Sequence, residues 1–186
     1  MSALRSEKYL TVEDFLAADF EGYYELIDGV PYLMSPPMLI HQRISRGLFG
    51  QLFDYLKGKS CEVFDSPTGV QLELDKDEVL IPDIIVVCDK SKLSGGKIIK
   101  GPPDLIIEIL SPSTARHDKA YKFNRYLQSG VKEYWIVDPE TKTVSVHILD
   151  NNKYIVSVYV ETNIAPVSVL DDCLINLQEV FVDFVE

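Results

Sequence analysis

Three short runs limit what this chain can fold into. Ile84-Ile85-Val86-Val87-Cys88, Asp104-Leu105-Ile106-Ile107-Glu108-Ile109-Leu110 and Tyr134-Trp135-Ile136-Val137-Asp138 are apolar at consecutive rather than alternate positions. A strand with one face in water alternates, whereas a strand that is apolar throughout is covered on both faces, as in the middle of a sheet between helical layers. Between the second and third runs, the residues from about Thr114 to Gln128 read as a helix, with Gly130 as its terminator. Strand, helix, strand is the crossover that joins neighbouring strands of a buried mixed sheet. The expected class is therefore α/β (α+β), a mixed central β-sheet flanked by helices.

The remaining elements arrange themselves around that core. Thr11-Val12-Glu13-Asp14 is a capping box with Asp in place of Glu or Gln, and starts a short helix through about Ala18. Tyr24 to Met34 reads as two strands around Asp28-Gly29, stopped by Ser35-Pro36-Pro37. From about His41 to Lys57, Ile44, Leu48, Leu52, Phe53, Tyr55 and Leu56 recur at helical spacing. Strands are expected near Glu62–Asp65 and Gly69–Leu74, then near Thr143–Leu149 and Tyr154–Val160 around a turn at Asp150-Asn151-Asn152-Lys153. Lys90–Gly101, with Gly95-Gly96 inside it, reads as a mobile loop. A length of 186 residues fits one domain: an N-terminal extension over 1–40, a core over 41–139 and a β-rich part over 140–186.

Composition removes several function classes. No apolar run approaches the roughly 20 residues of a membrane span, and the N-terminus has no apolar signal core. Cys61, Cys88 and Cys173 form no CxxC pair and no Cys/His cluster, which reads as reduced thiols in a cytoplasmic protein. The net charge of −11 opposes broad, non-specific binding to nucleic acid, because phosphate contacts need Lys and Arg. The charge is unevenly spread: residues 90–125 carry eight basic and three acidic side chains, while both flanks are acidic.

That basic stretch also holds the residue that most needs explaining. Glu108 is the one charge inside Leu105–Leu110, and burying an ionised carboxylate costs several kcal/mol, roughly, unless it is paired or binds a metal. The alternative is an edge strand with Glu108 in water. Asp83, at the head of the Ile84–Cys88 run, is an ordinary strand-start residue alone. On a strand neighbouring Glu108 it would make a two-carboxylate site for a hard cation such as Mg²⁺. On the helix that follows, Ala120, Phe123 and Leu127 read as the buried stripe, with Asp118, Lys119, Lys122, Arg125 and Tyr126 on the other face. That face is either solvated or, because Ser111-Pro112-Ser113 turns the helix back over the strand end, brings Lys122 to an anionic centre.

These residues carry a resemblance. Pro82-Asp83, Glu108-Ile109-Leu110-Ser111-Pro112-Ser113-Thr114, Asp118 with Lys122 and Tyr126 at four-residue intervals, and Gly130-Val131-Lys132-Glu133-Tyr134-Trp135-Ile136-Val137-Asp138-Pro139 resemble the Uma2 family, restriction-endonuclease-like proteins of the PD-(D/E)xK nuclease superfamily. Tyr24-Glu25-Leu26-Ile27-Asp28-Gly29 and His41 extend the likeness over nearly the whole chain. The resemblance implies a restriction-endonuclease-like core with Asp83 and Glu108 as ligands of Mg²⁺ or Mn²⁺, and the Ile109 carbonyl as a further ligand. The Lys of the nominal motif is replaced by Leu110, and the resemblance moves its role to Lys122, with Lys119 as substitute. It makes Glu25 an additional acidic residue of the site, the other reading being an exposed strand residue. His41 would cap its helix or touch a phosphate, and Tyr126 would pack or orient a neighbour.

The implied activity is metal-assisted hydrolysis of DNA phosphodiester bonds by an endonuclease. The rival reading is a catalytically inactive nuclease-fold binding or regulatory module, and hydrolysis of another phosphate ester is a third. By resemblance the protein is a homodimer. Val167–Leu170 and Val180–Val185 would either supply its contact or pack on the core.

Overall fold

The structure, a computed structural model, describes residues 9–111 and 117–182, with side chains from 120 onward in the second segment. Its strands β3 (Glu62–Asp65), β5 (Ile84–Val87), β7 (Leu105–Ile109), β8 (Glu133–Asp138), β9 (Thr143–Asp150) and β10 (Lys153–Val160) form one six-stranded sheet in the order β10-β9-β8-β7-β5-β3. The three apolar runs are thus the adjoining strands β5, β7 and β8 at its centre. β7 and β8 pair in parallel, with Glu108 opposite Ile136, and the other pairs are antiparallel. Helix α3 (His117–Ser129) is the crossover between the parallel strands. Its expected start at Thr114 lies outside the described residues.

Strand parity divides the core. Leu105, Ile107 and Ile109 of β7 and Trp135 and Val137 of β8 face helix α2 (Leu39–Leu56), which buries Ile44, Leu48, Leu52 and Leu56 against them. Each such side chain contributes about 1.5–3 kcal/mol by leaving water. Phe53, read as part of the α2 stripe, is half exposed and stacks on Phe49 instead. Ile106 of β7, Ile85 and Val87 of β5 and Tyr134 of β8 face the other way and pack with Tyr126 of α3. Glu108 shares the parity of Ile106, so its side chain leaves the sheet on the α3 side.

Helix α1 (Val12–Ala17) begins with the expected box, in which Thr11 Oγ1 accepts from Asp14 N and Asp14 accepts from Thr11 N. β1 (Tyr24–Ile27) and β2 (Val30–Leu33) pair around Asp28 and Gly29, both at positive φ, as a tight hairpin turn requires. The hairpin joins the body through reciprocal Leu26–Val79 backbone hydrogen bonds. At the other end, β11 (Ile164–Pro166), β12 (Leu174–Asn176) and α4 (Leu177–Val180) deliver Val167, Leu170, Ile175, Val180 and Phe181 to the α2 side of the core. Val167–Leu170 therefore packs inward, as does Val180; residues 183–186 lie outside the described part.

Three expectations change. The strand expected over Gly69–Leu74 is only β4 (Val70–Gln71), pairing in parallel with β6 (Ile99–Lys100). The stretch Lys90–Gly101, expected as a loop, contains β6 and a 3₁₀ turn (Lys90–Leu93) capped by Asp89, and buries Ile98 and Ile99. Cys61 and Cys88, expected as thiols, form a disulfide across β3 and β5, while Cys173 is free and buried. Their separation of 27 residues concealed an antiparallel register that pairs Glu62 with Val87 and so sets the two cysteines opposite each other. Among the described residues no helix is long and apolar enough to cross a membrane.

Candidate active site

The carboxyl end of β7 opens into a cleft of about 270 Å³, lined by Glu25, His41, Asp83, Glu108, Lys122 and Tyr134 among others. Five elements meet there. β7 supplies Glu108, and the residue before β5 supplies Asp83. The first turn of α2 supplies His41, and β1, held down by the Leu26–Val79 bonds, supplies Glu25. α3 supplies Lys122 to the lining and, through Tyr126, a hydroxyl that bonds Glu108.

Lys122 is the hub. Its Nζ lies 2.8 Å from Glu25 Oε1 and 3.1 Å from Glu108 Oε1. Tyr126 donates its hydroxyl to the same Glu108 oxygen at 2.7 Å. Glu25 is fully buried; its Oε1 also accepts from Ile81 N at 2.8 Å, and its Oε2 has no partner among the described residues. Asp83 Oδ2 accepts from Ile109 N at 2.7 Å and lies 3.2 Å from His41 Nε2, while His41 Nδ1 is buried without a partner among the described residues. The structure therefore brings Asp83, Glu108, Lys122, Glu25, His41 and Tyr126 together. Lys119 lies in α3, but its side chain is outside the described residues.

The electrostatics follow from burial and crowding. Burial pushes the Glu108 carboxyl up to about 7; Asp83 and Glu25 push the same way, and Lys122 and the Tyr126 hydroxyl oppose them. Burial pulls the Lys122 ammonium down, but Glu108 and Glu25 together outweigh it and hold the pKa well above the usual lysine range. Lys122 thus keeps its proton throughout the range in which Glu108 ionises. For His41, burial likewise lowers basicity, and the Asp83 hydrogen bond and charge overcome it, for a net rise.

The largest departure from expectation is the face that α3 turns inward. Ala120 is exposed and Phe123 and Leu127 are partly covered, whereas Lys122, Arg125 and Tyr126 are buried. A hydropathy stripe misassigned the helix because carboxylates on other elements await it. Lys122 meets Glu25 and Glu108, and Arg125 forks onto Glu78 through Nε (2.9 and 3.0 Å) and Nη2 (2.6 Å) and reaches Glu73 through Nη1. Glu25, left open between strand surface and site, is the most buried acid of the cleft. Sequence reading missed Asp65, Ser66 and Tyr134 as cleft residues. Tyr134 was accessible to it, since the alternation of β8 sets Tyr134 and Ile136 on the Glu108 side.

As a donor set for a hard divalent cation, these residues fit in chemistry. The carboxylates of Asp83 and Glu108 share one cleft, Asp83 adds to the cost of charging Glu108, and a third buried carboxylate carries the unpartnered Oε2 of Glu25. Among the described residues, no three Asp, Glu, His or Cys side chains are already gathered into a metal cage.

Similar proteins agree with this architecture. A crystal structure described as a "putative nuclease belonging to DUF820", from Anabaena variabilis ATCC 29413, superposes with a TM-score of 0.74 at 22% identity, covering 92% of this chain and 97% of that one. At that identity the likeness is one of fold. "Uncharacterized protein slr1290" of Synechocystis sp. (strain ATCC 27184 / PCC 6803 / Kazusa) is 28% identical over 125 residues, a match that spans 67% of this chain and 65% of that relative. The Uma2 family, described as "Putative restriction endonuclease", matches residues 7–177, a span that takes in every cleft residue named above, and the chain belongs to that family.

Proposed function

We propose that this protein is an endonuclease that hydrolyses DNA phosphodiester bonds with Mg²⁺ or Mn²⁺, its whole length acting as one nuclease-like unit to which residues 1–40 contribute Glu25. The observation that carries the reading is Lys122, a buried ammonium within 3.1 Å of two carboxylates in a cleft that Asp83 also lines. Asp83 and Glu108 would hold the cation, which when bound polarises a phosphoryl oxygen and makes a bound water more acidic. Lys122 keeps its proton and sets positive charge where negative charge develops on phosphorus. Glu25 anchors Lys122 through Oε1, and its unpartnered Oε2 would orient the attacking water. Tyr126 fixes the Glu108 carboxylate, and Ile109 N and His41 fix that of Asp83.

Plasmid cleavage in Mg²⁺ or Mn²⁺, with wild type beside Glu108→Ala and Lys122→Ala, tests the assignment. Both substitutions should lower the rate at least about 100-fold, the usual cost of losing a single group that stabilises transition-state charge. Circular dichroism should show the variants folded. Equal cleavage by all three proteins would refute the roles given to these residues. Metal-independent DNA binding without cleavage would instead identify a nuclease-fold binding module.

A further inference from the structure

The two edges of the central sheet differ. β3 is four residues long, has an acidic residue at each end and is stapled to β5 by the disulfide. β10 is eight residues long, and among the described residues its outer edge has no strand partner. Native edge strands are normally kept apart by an inserted charge, a proline, a bulge or a cover. Residues 154–160, Tyr-Ile-Val-Ser-Val-Tyr-Val, contain no charge and no proline, and β10 follows β9 in unbroken register over all eight residues. Ile155 (55%), Val156 (50%), Val158 (61%) and Val160 (46%) are exposed, on both faces of the strand.

We propose that the β10 edge is where a second copy of this chain docks, antiparallel and about a two-fold axis through Ser157. The sequence about that point is self-complementary. Val156 of one copy meets Val158 of the other on one face, and Ile155 meets Tyr159 on the opposite face, both favourable cross-strand pairs. At each end Lys153 comes opposite Glu161, which also pairs with Lys142 of its own chain at 2.9 Å, so the charges that bracket the neutral strip attract when two copies align. This matters for a chain of net charge −11, whose copies repel except where charge is absent or complementary. One backbone donor, Val160 N, is already bonded to Asn163 Oδ1 at the end of the strip. An isologous contact of this kind closes on itself and does not polymerise. The inference does not depend on the proposed nuclease activity.

Sedimentation velocity of the full chain over a concentration series tests it. Wild type should sediment at twice the 21.1 kDa of one chain, and Val156→Lys combined with Val158→Lys should sediment as a monomer with an unchanged circular dichroism spectrum. Lys153→Glu should weaken the dimer by setting acids opposite acids, and adding Glu161→Lys should restore it. That second pair decides the matter if the lysine variant fails to fold. A wild type that is monomeric throughout would overturn the proposal. So would a dimer that survives the lysine substitutions, or a Lys153→Glu dimer as tight as wild type.

Discussion

At the scale of single residues, the cleft is governed by an imbalance of charge. Glu25, Asp83 and Glu108 are three acids served by one ammonium, Lys122, and a histidine. Burial, with Asp83 and Glu25 beside it, raises the Glu108 carboxyl to about 7, and a cation placed among these acids would favour its ionised form. A second titratable site lies on the same side of the sheet, away from the cleft. His147 is buried among Phe123, Tyr134 and Tyr154, with Nδ1 3.1 Å from the Tyr134 carbonyl. Burial holds its pKa below the usual 6.5. The unfolded chain therefore binds a proton here before the folded one does, and stability falls as pH drops from about 6.5 through the lowered folded value, but is flat above it. In urea denaturation across pH, His147→Phe should remove this contribution, so that wild type loses stability relative to the variant only on the acid side. Parallel curves across the whole range would contradict the assignment.

At the scale of elements, α3 is held to the body by buried charge pairs as well as by the apolar packing of Tyr126. Arg125 and Glu78 are both buried, and Tyr121 also donates to Glu78 at 2.5 Å. Removing one partner strands the other: Arg125→Met should cost on the order of 3–5 kcal/mol in equilibrium denaturation. Glu78→Met in the same chain should recover most of that loss, because the desolvation penalty disappears with the second charge. Additive costs would mean that the pair does not act as a unit. The sequence located this helix but not its inward face. Periodicity ranks faces by hydropathy, and the partners of Lys122 and Arg125 lie on other elements, from 14 positions away (Glu108) to 97 (Glu25). The strands were far more legible. A run that is apolar at consecutive positions has one stable environment, so β5, β7 and β8 fall where Ile84, Leu105 and Tyr134 announce them.

For the whole molecule, the basic stretch over 90–125 divides between surface and interior, with Lys90, Lys97 and Lys100 exposed. Lys122 and Arg125 are internal and paired, Lys90 lies near Glu62, and Lys92 donates to the Pro102 carbonyl. Of these four, Lys122 lines the cleft. The disulfide acts on the same global scale by closing a 27-residue separation, worth about 3.5 kcal/mol of stability by loop closure. Thiol titration of the unfolded, unreduced chain should find Cys173 alone, and reduction should expose all three cysteines and lower the denaturation midpoint. Three thiols before reduction would contradict the link.

What the sequence determined by itself is the central sheet, its crossover helix, the N-terminal hairpin and the isolation of Glu108 in an apolar strand. Each follows from local chemistry: consecutive burial, helical spacing, and a turn that needs positive φ. What only the tertiary structure decided is pairing over distance: Cys61 with Cys88, Arg125 with Glu78, and Lys122 with both Glu25 and Glu108. Such pairs depend on where separate elements come to rest, and a charge reads as solvated until the folded chain brings its counter-charge within reach.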